Sequence, residues 1–304
     1  MKILVFGSNG LVGSNLRKRL DQRSYQCFFS TRDTNNLFDL QSTKKTIDEI
    51  TPDVIINCAA KVGGINANNT KRTSFLLENL KINMNILESV IGLDKLKIIN
   101  LGSSCIYPLD AENPISENSI MTGTLEPTNS AYAMAKLTAI ELGKSIKKEF
   151  GHEVINLMPT NLYGEYDNFS EKDSHVIPGL IYRMHNAKIN NEEFFGVWGS
   201  GKPLREFLNA EDFAEAINFI LENDIKEELL NIGSGEEISV NELSFKIKKT
   251  VDFKGEINFD TSMPDGNPRK LLDSSTIFGY GWRPSIDIDQ GLELSYKWFL
   301  NNLN

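Results

Sequence analysis

An α/β fold built on a doubly wound parallel sheet, with a smaller C-terminal α/β part, is what the sequence predicts. Short β-branched runs alternate with longer helical patterns through the first half. The first run breaks directly into a glycine-rich turn, and the alternation loosens after about residue 160.

The runs KILVF (2–6), CFFS (27–30), VIIN (54–57), KIINL (97–101) and VINLM (154–158) predict strands buried on both faces. Helical patterns lie near 11–22, 42–50, 70–91 and 131–150, the last two with apolar residues at spacings of three and four. Further on, Gly, Pro, Asn and aromatic residues mix. A helix near 211–223, capped by Asn209, and a strand LLNIG (229–233) predict a return to the sheet. The expected division is 1–161, rejoined by 206–233, for the sheet, and 162–205 with 234–304 for a substrate-covering part.

Composition narrows the function classes. The 304 residues are 40% hydrophobic and 24% charged, an ordinary globular balance. No apolar run is long enough to span a membrane, and MKILVFG is too short in its apolar part for a signal peptide. Three cysteines without CxxC spacing predict a reducing cytoplasm and no metal site. A net charge of −9 opposes nucleic acid and anionic membranes as partners, so a phosphate-bearing ligand would need local cations.

Gly7-Ser8-Asn9-Gly10-Leu11-Val12-Gly13 follows the first strand and opens the first helix. In that context Gly7 permits the tight turn, Gly10 lets a pyrophosphate approach the backbone, and Gly13 lets helix and strand pack closely. This is the Rossmann dinucleotide signature. The second strand should end near the adenosine ribose. There Arg32 favours the 2′-phosphate of NADP, and Asp33 favours the 2′-hydroxyl of NAD.

Tyr132 and Lys136, in SAYAMAK (130–136), lie four apart on one helical face. About one such pair is expected by chance among 8 tyrosines and 32 Lys and Arg residues, so spacing alone proves little. The pair does follow the fourth strand of a nucleotide-binding sheet, whose end carries Ser103. An ammonium beside the phenol should lower its pKa and equip it to protonate the oxygen of a ketone receiving hydride. Ser103 can hydrogen-bond that same oxygen.

These features together resemble the extended short-chain dehydrogenase/reductase superfamily of nucleotide-sugar epimerases, dehydratases and reductases. AAKVGGINANNT (59–70), LGSSCIYP (101–108), GTLEPTNSAYAMAK (123–136), MPTNLYGEYDNF (158–169), SHVIPGL (174–180), VWGSGKPLREF (197–207) and PDGNPRKLLD (264–273) narrow the resemblance to its GDP-L-fucose synthase family, over nearly the whole chain. The resemblance implies NADPH-dependent inversion at C3 and C5 of GDP-4-keto-6-deoxymannose, then reduction at C4. Cys105 would be the base and His175 the acid on the opposite face, since an imidazole titrates near neutral pH. Dehydratases of the superfamily carry an Asp-Glu pair where this chain has Ser104-Cys105.

The same resemblance places Pro159, Thr160, Asn161, Leu162 and His175 beside the nicotinamide, with Lys136 also on its ribose. It places Arg183, Trp198, Arg205, Asp265 and Lys270 around the GDP-sugar. It also implies a homodimer through the helices at 70–91 and 131–150. Asn9 and Ser30 stand where this family often has basic residues, which weakens the expected 2′-phosphate clamp. Cys27 and Cys58 are read as packing residues, and His152 and His185 as surface or helix residues. Two rivals remain at this stage: a C4-reductase, with or without epimerisation, of a related GDP-deoxyhexose or heptose, and a non-catalytic NADP-sensing regulator.

Overall fold

The computed structural model describes residues 1–171, 174–263 and 265–303. The main layer is formed by β1 (Lys2–Phe6), α1 (Leu11–Leu20), β2 (Gln26–Ser30), α2 (Leu40–Ile50), β3 (Val54–Asn57), α3 (Ile65–Thr70), α4 (Arg72–Ser89), β4 (Lys97–Leu101), α5 (Ser130–Phe150) and β5 (Glu153–Pro159). After β6 (Asn161–Tyr163), α6 (Val176–Ile189), β7 (Phe194–Trp198) and β8 (Leu204–Asn209), the chain returns through α7 (Ala210–Glu222) and β9 (Leu229–Ile232). The remainder is β10 (Glu237–Ser239), α8 (Val240–Val251), β11 (Glu256–Asp260), β12 (Arg269–Lys270), α9 (Ser275–Tyr280) and α10 (Ile288–Asn301).

The six-stranded sheet runs β2-β1-β3-β4-β5-β9, and every pair in it is parallel. Strand period explains why its strands read as apolar throughout. Ile3 and Val5 face a core with α1 and α7, whereas Leu4 and Phe6 face a second core with α2, α4 and α5. The chain reverses direction across the sheet between β1 and β3, and a doubly wound sheet opens its ligand crevice at the carboxyl ends of such strands.

Three expectations change. Strand β2 is not buried on both faces: it is the sheet edge, paired only to β1, and Cys27–Phe29 are half-buried. The helix expected near 70–91 forms as α4, but a short helix not expected from the sequence, α3, precedes it and is separated from it by Lys71. His152 is not a surface residue but is fully buried. Leu96 N–H donates to its Nδ1 at 3.3 Å, which leaves Nε2 to donate to the Val90 carbonyl at 2.9 Å. The ring thus satisfies two backbone groups that a core position would otherwise orphan. Asn209 does cap α7, accepting from Glu211 N at 2.9 Å.

In the smaller part, β8 is flanked by β6, β10 and β12, and β7 pairs with β11. Their shared core draws Ile177, Leu180 and Met184 from α6, Leu243 and Ile247 from α8, and Leu292 and Phe299 from α10. β8 belongs to this smaller sheet while its Leu208 packs in the main core, and α7 and β9 follow in the main layer. The segment just after β12 packs on the loop after β4: Leu271 N donates to Asn113 Oδ1 at 2.8 Å, and Ile115 bridges to Leu272.

Candidate active site

At the glycine turn, Gly7 has φ +74°, and a Cβ there would lie 2.6 Å from Ala59. A Cβ on Gly13 would collide with the Gly7 carbonyl oxygen. Glycine is therefore required at both positions. Gly10 is the N-cap of α1 and brings no side-chain cap. The N–H groups of Leu11, Val12 and Gly13 thus have no partner within the helix, and Asn9 and Gly10 are exposed in front of them. Such a cradle fits a pyrophosphate. Ser8 does not line it directly. It is buried, and its N–H and hydroxyl both donate to the Ser30 carbonyl, at 3.2 and 3.0 Å.

At the ribose corner Arg32 is exposed, and its charge contributes to holding the Glu78 carboxyl below the usual range, after the hydrogen bonds from Lys61 and Ser74. The structure adds a cation that sequence reading missed. Arg17, on α1, lies over the Phe29 ring at 4.5 Å and donates to Ser8 Oγ at 3.2 Å, beside the end of β2. Its only signal in the sequence was a basic residue one position after the buried Leu16.

The chemistry-bearing side chains gather past the end of β4. Lys136, 2% exposed, donates to the Leu101 carbonyl at 2.6 Å, and its Nζ lies 5.7 Å from the centre of the Tyr132 ring. Ser103 hydrogen-bonds the Tyr132 hydroxyl and also accepts from Cys105 N at 3.2 Å. Cys105 packs against Ala67, Phe75 and Tyr132, with the Phe75 ring edge-on to the phenol. Burial pushes the Lys136 ammonium down to about 8.

Burial also raises the Tyr132 phenol, the charge of Cys105 raises it further, and the Ser103 hydrogen bond only partly offsets them. The expected lowering of the phenol pKa is therefore not what the folded chain produces: desolvation dominates, and the Lys136 ammonium is bonded to the Leu101 carbonyl. The phenol remains protonated, as a proton donor must. Burial likewise pushes the Cys58 thiol up to about 12, in keeping with an inert packing residue.

His175 is the N-cap residue of α6. The residue is solvent-exposed, yet partial desolvation by the surrounding protein pushes its imidazolium below the ordinary 6.5. Next to it, the Ser174 carbonyl would lie 2.7 Å from a Cβ on Gly64. The start of α6 thus abuts the 63–75 segment that covers Tyr132 and Cys105. Asn161 Nδ2 donates to the Glu206 carbonyl at 2.8 Å, Thr160 N to the Ile232 carbonyl at 3.1 Å, and Leu162 packs on the main core. Pro159 closes β5.

Along the smaller sheet a second group assembles from four elements. Arg183 on α6 lies over Phe195 and Trp198, at 5.2 and 5.8 Å. Asp265 accepts from Ser200 N at 2.8 Å and from its hydroxyl at 2.7 Å, and it offsets part of the burial that lowers the Arg205 guanidinium. Lys270 is in register with Arg205 across β12 and β8. Arg183, Arg205 and Lys270 are the cations of this group, the residue types to which a diphosphate could bind on an acidic chain. No group of metal-binding side chains is found among the described residues.

A glycine cradle on a parallel sheet, with Ser, Tyr and Lys gathered past the end of its fourth strand, fits a nicotinamide-dependent enzyme that acts on a carbonyl group. The NAD dependent epimerase/dehydratase family matches residues 3–233, and the chain belongs to that family. It is 42% identical over 302 residues to the GDP-L-fucose synthase of Sinorhizobium fredii, covering 99% of this chain and 96% of that one. The GDP-L-fucose synthetase of Naegleria fowleri, solved bound to NADP, is 29% identical with a TM-score of 0.90, covering 99% of this chain and 94% of that one. A GDP-6-OMe-4-keto-L-xylo-heptose reductase from C. jejuni is 28% identical with a TM-score of 0.93, covering 99% and 98%.

Proposed function

We propose that the protein is an NADPH-dependent 3,5-epimerase/4-reductase that converts GDP-4-keto-6-deoxy-D-mannose to GDP-L-fucose. The observation that carries this reading is the placement of Cys105 against Tyr132 in one buried cluster, with Ser103 hydrogen-bonded to both. A reductase alone needs Ser103, Tyr132 and Lys136. A thiol beside them is the addition that epimerisation requires, and this favours the epimerising reading over a simple C4-reductase. The NADP-sensing reading leaves the whole set unused.

When bound, NADPH supplies the hydride for C4. The α1 N-terminus would hold its pyrophosphate, Arg32 and Arg17 would face the 2′-phosphate corner, and Lys136 with residues 159–162 would border the nicotinamide. Trp198, Arg183, Arg205, Asp265 and Lys270 would hold the GDP-sugar. Residues 1–161 with the returning α7 and β9 serve the cofactor, and the smaller sheet serves the sugar nucleotide.

The C3 and C5 protons are acidic because the enolate places charge on the C4 oxygen. Cys105 thiolate removes each proton from one face, and His175 returns one from the other. Burial disfavours imidazolium, so the acid form of His175 is the minority at neutral pH, and reprotonation should weaken as pH rises. Ser103 and Tyr132 hold the C4 oxygen throughout, and Tyr132 delivers its proton when hydride arrives. A charged thiolate keeps the phenol protonated, so base and proton donor coexist.

We also place the enzyme in the cytoplasm as a homodimer. Leu77 and Met84, seven apart on α4, and Met134 on α5 are exposed apolar residues on neighbouring helices, a surface that suits a second copy.

The test is turnover in D₂O. Wild-type product should carry deuterium at C3 and C5, and Cys105→Ser should lose most of it while still reducing the 4-ketone. Product without solvent deuterium would reduce the activity to C4 reduction and make Cys105 a packing residue.

A further inference from the structure

Asn129 stands at the N-cap of α5, immediately before the helix that carries Tyr132 and Lys136. Asparagine is favoured at that position because its side-chain oxygen can accept from the first helical N–H groups. Here it does not. The Asn129 side chain makes no capping bond, and only its backbone carbonyl joins the helix, accepting from Ala133 N at 3.0 Å. Its amide Nδ2 instead donates to Cys105 Sγ at 3.4 Å. Its Oδ1 is buried and has no partner.

The surrounding turn enforces this orientation. The Glu126 carboxylate accepts from Thr128 N and Asn129 N, each at 3.1 Å. Arg72 donates to the Pro127 carbonyl at 2.6 Å and to Ser130 Oγ at 2.7 Å, pinning the turn to α4. A residue well suited to cap a helix is thus turned from its own helix toward a sulfur.

We propose that Asn129 is a positioning residue that donates to the Cys105 thiolate, fixing the sulfur against the sugar and favouring its basic form. A hydrogen bond to the charged form of an acid favours ionisation. The Ser103 hydroxyl, which accepts from Cys105 N, is turned to the phenol, so Asn129 supplies the donor that the sulfur otherwise lacks. The inference deepens the epimerase reading and rests on it for its catalytic meaning, but its physical content concerns the thiol alone.

The experiment follows alkylation of Cys105 by iodoacetamide in the full-length protein without ligands, from pH 6 to 10, with each cysteine resolved by peptide mass. Asn129→Asp and Asn129→Ser both remove the amide donor and keep a residue that caps helices well. The alkylation profile should move to higher pH in both, with the rate at pH 7 falling about three- to tenfold, while thermal stability is kept or raised. In D₂O turnover, exchange at C3 and C5 should fall more than C4 reduction. A profile that does not move, with stability lost, would overturn the proposal and leave Asn129 an element of the turn. Wild-type protein that shows no exchange would defeat the epimerase reading alone, and the alkylation profile would still decide whether Asn129 acts on the sulfur.

Discussion

Past the end of β4, Tyr132 is 9% exposed and Lys136 2%, and their partners are the Ser103 hydroxyl and the Leu101 carbonyl at the end of that one strand. Along the smaller sheet, Trp198 is 67% exposed, and the cations beside it come from α6, β8 and β12. The first region is rigid and dry because it grows from the sheet core, and it suits proton and hydride transfer, where small displacements are costly. The second is open and cationic, which suits capture of a large charged ligand. The segment between β6 and α6 joins the two, tied to α1 where Asn15 donates to the Glu165 carbonyl at 3.1 Å.

Breaking the first region should cost most. Tyr132→Phe should lower NADPH oxidation with the 4-keto sugar about 10²–10⁴-fold, because the proton donor is gone. Cofactor affinity, measured by fluorescence titration, should be nearly unchanged. Near-normal turnover would remove Tyr132 from the reduction step.

The joining segment gives the next largest effect, and it is one of stability. Asp167 is buried with Oδ2 unpartnered, and burial raises its carboxyl from 3.8 to about 6. Because the folded state holds the proton more tightly than the unfolded chain, stability falls as pH rises from about 4 to 6 and stays lower above. Asp167→Asn should therefore stabilise the protein at pH 7.5 by on the order of 2–3 kcal/mol, and by little near pH 4. Urea unfolding at the two pH values reads this directly, and an equal gain at both would contradict it.

In the open region, Arg205→Ala should raise KM for the GDP-sugar about ten- to hundredfold and change kcat less, since a diphosphate contact acts before and during the reaction alike. A loss confined to kcat would move Arg205 into the chemistry. Smallest should be Arg32→Ala, with KM for NADPH rising about three- to tenfold and that for NADH nearly constant. The effect is modest because Arg32 is exposed and Arg17 lies beside the same strand end. Equal changes with both cofactors would detach Arg32 from the 2′-phosphate.

The sequence by itself determined the parts governed by neighbours along the chain. The doubly wound sheet followed from strand-helix alternation, and the pyrophosphate cradle from glycines whose backbone admits no Cβ. Ser103, Cys105, Tyr132 and Lys136 follow strand and helix ends that the pattern located. Tertiary structure decided what depends on packing between distant segments. It turned β2 into an exposed edge and buried His152 under two backbone groups 56 and 62 residues away. It linked Asn57, Asn100 and Asn156 into an amide chain across β3, β4 and β5, with bonds of 3.0 and 3.1 Å. It raised the Tyr132 phenol that local reasoning would have lowered, because desolvation is set by everything around a group. It turned Asn129 away from its helix for the same kind of reason: the sulfur it meets lies 24 residues back, and only the fold brings the two together.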